Sequence, residues 1–135
     1  MKTAPISINL IDLDLGWVVG ILEGEGAFVV SSDKRRPTTK NVKIQVESTD
    51  KFVIDKLYSL LGGRIWESNY PAKYRAFPNA KPSWRWCVSS KQECRVLAEL
   101  IISHMSPRRQ EQLNLILSNS NYVRTSKISM VNSAG

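Results

Sequence analysis

The chain has 135 residues, the length of one domain with a core of its own. Hydrophobic residues at 42% and charged residues at 23% exclude a disordered chain. The formal charge of +7 suits a polyanionic partner, nucleic acid or an anionic membrane surface, unless it is simply a basic exterior. Two cysteines, Cys87 and Cys94, make neither a disulfide framework nor a zinc site, and both are expected to be reduced. The lone histidine, His104, lies in an apolar stretch, where packing or capping is the ordinary role. Met1 to Asn9 shows no signal-peptide pattern. The apolar run from Leu15 to Leu22 is shorter than the roughly 20 residues a membrane span needs.

A first helix is expected over Asp12 to Gly24. Its interior from Leu15 to Leu22 carries no charge, so it should be covered on several sides. Gly16, Gly20 and Gly24 recur at helical spacing and line one face. Each costs about 1 kcal/mol relative to alanine inside a helix. Such a stripe implies the close approach of another backbone, either a sheet of the same chain or the same helix of a second copy.

Ala27 to Ser32 reads as a strand, Asp33 to Lys40 as a basic turn, and Asn41 to Glu47 as a second strand. In the latter Val42, Ile44 and Val46 alternate with Lys43, Gln45 and Glu47, the pattern of a half-buried strand in a hairpin. Ser48 to Asp50 offers a helix N-cap, Val53, Leu57, Leu60 and Leu61 follow at helical spacing, and Gly62-Gly63 ends that helix. Arg64 to Tyr70 and Trp84 to Ser89 form a second hairpin, with Trp84, Trp86 and Val88 facing away from Arg85 and Cys87. Ser90 and Glu93 make a capping-box pattern for a third helix, whose stripe is Cys94, Leu97, Ala98, Ile101 and Ile102. Ser106-Pro107 opens a fourth, with Leu113, Ile116 and Leu117 inward. One domain over 1–118 and a polar tail over 119–135 are expected.

The hairpin regions Lys34–Lys43 and Arg64–Lys91 hold 11 of the 19 lysines and arginines. They are either the solvated face of an ordinary sheet or one basic surface. A two-stranded ribbon fits the DNA major groove. A strand of ~10 residues spans ~33 Å, about one turn of duplex, so two copies would cover about 20 base pairs.

Glu23 and Glu25 end the first helix, where the dipole disfavours acids by a few tenths to 1 kcal/mol each. Something positive should balance them, either a surface Lys or Arg or a divalent cation. Such a cation would take carboxylate oxygen and the Gly24 carbonyl, unpaired at a helix end.

Val18 to Gly26 resembles the LAGLIDADG motif, with Gly20, Glu23, Gly24, Glu25 and Gly26 at its Gly, acid, small, acid and Gly positions. Phe28 follows where the first strand of that fold begins, and the order of elements matches over about residues 10–118. The sequence departs from the usual motif in having glutamate at both acid positions. The resemblance implies an α+β fold of αββαββα type, an antiparallel β saddle for DNA with helices behind it. It also implies a homing endonuclease, since the chain carries one motif and must pair as a C₂ homodimer to cut both strands of a near-palindromic duplex.

In that reading Glu25 and the Gly24 carbonyl hold the metal, Mg²⁺ or another divalent ion such as Mn²⁺, with Ca²⁺ able to bind without cleavage. The metal would activate water and steady the leaving oxygen. Arg109, with Arg108 as second choice, supplies a cation near the phosphate. Glu47 or Ser48 orients water. Gly16, Gly20 and Gly24 line the dimer interface, and Glu23 supports helix ends or that interface. Strand parity sends Val29, Ser31, Asp33 and Arg35 toward the groove with Lys43 and Gln45. Arg36, Trp66, Ser68, Lys73, Arg75 and Arg85 complete the expected DNA contacts. The resemblance implies an intracellular protein, in a prokaryotic or phage cytoplasm or an organelle matrix. Alternatives on the same fold are an RNA-splicing maturase, with RNA as partner, and a DNA-binding protein that does not cut.

Overall fold

The computed structural model of the chain describes residues 2–7, 11–36, 38–68 and 82–120. The elements run β1 (Lys2–Ala4), α1 (Asp12–Glu25), β2 (Gly26–Ser32), β3 (Lys40–Ser48), α2 (Lys51–Leu61), β4 (Gly63–Ser68), β5 (Ser83–Val88), α3 (Lys91–Ile101) and α4 (Pro107–Asn119), with a short 3₁₀ turn at Ile102–His104 before α4. The five strands form one antiparallel sheet in the order β1-β4-β5-β3-β2. The expected α+β architecture is therefore present, with β1 added at the β4 edge.

Strand alternation divides the sheet into two faces. Phe28 and Val30 on β2, Val42, Ile44 and Val46 on β3, Ile65 on β4, and Trp86 and Val88 on β5 turn inward. They pack against Val18 and Leu22 of α1, Ile54, Leu57 and Leu61 of α2, Cys94, Leu97, Ala98 and Ile101 of α3, and Leu113 and Ile116 of α4. The four described helices thus cover one face, and none of them lies on the other. Among the described residues, no helix is long and apolar enough to cross a membrane.

Local chemistry sets the joints. Asp50 caps α2 through the Phe52 amide at 3.0 Å, and Ser90 caps α3 through the Glu93 amide at 3.0 Å. After α2 the chain turns sharply through Gly62 (φ 77°) and Gly63 (φ 95°), the left-handed region that favours glycine. A side chain at Gly63 would also strike the Trp86 indole. That indole is fully buried and donates to the Gly62 carbonyl at 2.7 Å, so the largest core side chain fastens the turn between α2 and β4.

The N-terminal segment is the main departure from the expected order, since no element is read there from the sequence. Lys2–Ala4 pairs with Ile65, Arg64 and Gly63. The Ile6 amide donates to Glu93 at 2.8 Å, and the Ser7 amide to the Leu61 carbonyl at 3.3 Å. Glu93 also accepts from the Ser90 hydroxyl at 3.1 Å, so its second oxygen is spent on the N-terminal segment and not on the backbone of its own cap.

Candidate functional site

Helix α1 is apolar all round, yet only Val18 and Leu22 are fully buried. Leu13 stays 80% exposed. Gly16, Gly20 and Gly24 are exposed, and a methyl group built on any of them meets nothing within 4 Å among the described residues. The backbone approach that the stripe implies is therefore not made by any of the described residues.

The two acids at the end of α1 have different surroundings. The Glu23 carboxylate accepts from the Ser106 amide and the Ser106 hydroxyl, both at 2.8 Å. Ser106 is the N-cap of α4, so Glu23 meets the positive end of a second helix. Those bonds, the amide first and the hydroxyl second, hold its carboxyl below the ordinary glutamate range. Glu25 is exposed and has no hydrogen bond or ion pair among the described residues. The adjoining Gly24 is exposed as well.

Arg109 differs from expectation in where it points. It is only 7% exposed. Its Nε donates to the Glu23 carbonyl at 3.0 Å and a terminal nitrogen donates to Gln112 at 2.8 Å. The guanidinium stacks 4.9 Å from the Phe28 ring centroid. Burial lowers its pKa, Arg108 adds to that and Glu23 opposes it, but a guanidinium stays charged at any physiological pH. The charge is thus turned inward because its donors serve the end of α1. Arg108, next to it, is exposed.

The open face of the sheet gathers most of the expected DNA contacts that are described. Register places Ser31 opposite Asn41, Val29 opposite Lys43, Gln45 opposite Cys87, Glu47 opposite Arg85, Arg64 opposite Cys87 and Trp66 opposite Arg85. These positions share one face, which settles the facing of Arg64 and Trp66. Position 68 lies opposite Ser83 at the end of the β4–β5 ladder. Arg64 stacks 5.3 Å from the Trp66 ring and donates to the Ser89 hydroxyl. Gln45 Oε1 and Arg85 Nε are buried and have no hydrogen-bond partner among the described residues. Cys87 is buried at the centre of this face. Burial pushes its thiol pKa up, against the pull of Lys43, Arg64 and Arg85. Arg35 and Arg36 are exposed at the turn of the β2–β3 hairpin, where Asp33 accepts from the Arg35 amide at 2.9 Å. Lys73 and Arg75 lie outside the described residues.

Parity also separates Glu47 from Ser48. Glu47 is on the open face, one step beyond the Gly26–Val46 pair and so beside the end of α1. Its carboxylate lies 3.6 Å from Arg85 and accepts from the Ser83 hydroxyl at 3.1 Å. Ser48 accepts from the Asp50 amide at 2.9 Å and serves the start of α2. The partnership of Glu23 with Ser106, and the roles of Gln112 and Phe28, escape the sequence reading. Only the spacing of Arg109 and Gln112, one turn apart on a helix, hints at any of it.

No family sequence model and no curated protein matches the sequence. Solved structures do match the fold. The homing endonuclease I-CvuI, in complex with its target in the presence of Ca, superposes with a TM-score of 0.58 at 18% identity, over 78% of this chain and 64% of that one. The archaeal intron-encoded homing endonuclease I-Vdi141I, complexed with DNA, gives 0.56 at 15% identity, over 90% of this chain and 92% of that one. The LAGLIDADG homing endonuclease I-SmaMI, bound to cleaved DNA, gives 0.55 at 14% identity, over 96% of this chain and 45% of that one. The chain therefore spans under two thirds of I-CvuI, under half of I-SmaMI and nearly all of I-Vdi141I. It has the LAGLIDADG homing-endonuclease fold.

Proposed function

We propose that this chain is a site-specific DNA endonuclease of the LAGLIDADG type. It acts as a homodimer on a near-palindromic duplex of about 20 base pairs, with a divalent metal at Glu25. One observation carries the reading. Of the two acids at the negative end of α1, Glu23 is offset by the N-terminus of α4, whereas Glu25 is exposed at the head of a polar sheet face and its carboxylate has no partner among the described residues.

The residues present fit a hard cation as half a site. Among the described residues no group of three or more His, Cys, Asp or Glu could hold a metal alone. One exposed carboxylate and the adjacent Gly24 backbone suit an ion that keeps several waters and shares phosphate oxygens. When bound, such an ion supplies Lewis acidity and lowers the pKa of its water. Glu47, on the same sheet face next to the Gly26–Val46 pair, would orient water beside it. Arg108 is the outward cation at the start of α4 and takes the phosphate-facing role. The open glycine stripe and exposed Leu13 give a second copy a surface for close helix packing.

The DNA surface is the open sheet face. Gln45 and Arg85 are side chains of the types that read base edges, while Lys43 and Arg64 suit phosphates. Ser31, Arg35 and Arg36 extend the surface toward the β2–β3 turn, and Trp66 extends it across β4 at the level of Glu47.

The test is cleavage of a randomised duplex library with Mg²⁺, sequencing the cut ends, with Glu25→Gln in parallel. The expected result is one near-palindromic cut site, with cutting reduced at least a thousandfold in the variant. Selective retention of one duplex without cutting would replace the reading by a DNA-binding protein. Neither cutting nor selection, with RNA retained instead, would favour a splicing role.

A further inference from the structure

We propose that Arg109 is a positioning residue that locks the end of α1, and with it Glu25, through a reciprocal clasp with α4. This rests on the metal-site reading of Glu25 for its consequence, though not for the clasp itself. The last carbonyls of a helix have no partner within it. Here the Glu23 carbonyl receives Arg109 Nε from α4 at 3.0 Å, while the Glu23 carboxylate receives the Ser106 amide and hydroxyl at the start of α4. Each helix thus satisfies the exposed polar end of the other.

The guanidinium has little freedom to leave. Gln112 fixes it from one turn along α4, and Phe28 covers it from β2. Glu23 lies just before Glu25 and Phe28 just after, so the clasp holds the chain on both sides of a carboxylate that has no bond of its own among the described residues. Lysine cannot reproduce it. An ammonium lacks the planar fork that can donate to a carbonyl and to Gln112 while lying flat on a ring.

Two measurements on Arg109→Lys, Arg109→Met and Arg108→Met decide the matter. The first is amide hydrogen exchange over residues 22–28 in the free protein, which requires neither DNA nor metal. The second is the Mg²⁺ concentration for half-maximal cutting of the selected duplex. Both Arg109 variants should exchange about tenfold faster in that segment, with α2 and α3 unmoved, and should need about tenfold more Mg²⁺. Arg108→Met should lower the rate at saturating Mg²⁺ while leaving exchange and half-saturation unchanged.

Wild-type exchange in the Arg109 variants would overturn the clasp. So would an Arg109→Lys protein that cuts like wild type, since charge alone would then suffice. Faster exchange with unchanged Mg²⁺ half-saturation would overturn the link to Glu25. A wild-type chain that never cuts would defeat the nuclease reading, and the exchange data would still decide the clasp. Should the Arg109 variants fail to fold, Gln112→Met and Phe28→Leu each release one side of the guanidinium and should shift both readouts the same way, by about threefold.

Discussion

Glu23 and Glu25 are chemically identical, separated by one glycine, and differ in everything that matters for their use. Glu23 is consumed by Ser106, so its charge contributes to holding α1 against α4. Its carboxyl pKa lies below the ordinary value of 4.5 because the charged form accepts those bonds. A lowered folded-state pKa gives stability that is complete above the unfolded value and is lost as pH falls through the folded one. Acid titration of the wild type should therefore show a loss of stability beginning below about pH 4.5 that is shallower in Glu23→Gln, which cannot ionise. Denaturant midpoints measured every half unit between pH 6 and pH 3 would show it; identical slopes would mean that the Ser106 bonds do not distinguish the charged form. The sequence discloses that two acids end the helix and which of them matches the motif position for metal. It does not disclose the bond from Glu23 to Ser106, because those residues are 83 positions apart.

The long periodic helices and the strands β2 to β5 are legible from spacing alone, because each buries one face and period separates helix from strand. Strand β1 is not. Three residues followed by proline carry no period, and their conformation depends on the free edge of β4 and on Glu93, 87 positions from Ile6. The Glu93 carboxylate joins two tasks, holding the Ser90 hydroxyl at the start of α3 and anchoring the Ile6 amide. Glu93→Ala keeps the backbone amide that Ser90 caps but loses both carboxylate bonds, so it should lower stability by about 2 kcal/mol, within the range for hydrogen bonds to a charged group. It should also speed hydrogen exchange across the β1–β4 pairing while leaving β2–β3 unchanged. A drop in stability without that local change would assign the Glu93 carboxylate to the Ser90 hydroxyl alone. The same dependence on distant partners explains why α1 looks covered on all sides in the sequence and is half open in the chain. Hydrophobicity records that a surface is apolar and says nothing of which molecule covers it.

At the scale of the molecule, one face of the sheet carries the core and the other carries Arg64, Arg85, Lys43, Gln45 and Trp66, while the glycine side of α1 faces outward. This predicts a diagnostic sign for Gly20→Ala. In a lone chain the added methyl meets nothing among the described residues, so the variant should be more stable by about 0.5–1 kcal/mol, the helix-propensity gain. In a dimer sealed along the stripe the same methyl separates two backbones, so the dissociation constant should rise. Sedimentation equilibrium beside chemical denaturation at low protein concentration measures both. A variant that is more stable and associates as well as wild type would remove the glycine stripe from the interface.

The two thiols add a practical opening. Cys94 donates to the Val88 carbonyl at 3.2 Å and burial pushes its pKa up to about 12, while Cys87 is buried with its pKa raised in the same direction. Thiolate, the form that attacks maleimides, is therefore scarce at both. A single cysteine introduced at an exposed position such as Lys51 becomes the one readily labelled site, with both native cysteines left in place. Spin or fluorescent probes attached there would turn any pairing of two copies into a distance across the molecule, readable in solution and on DNA alike.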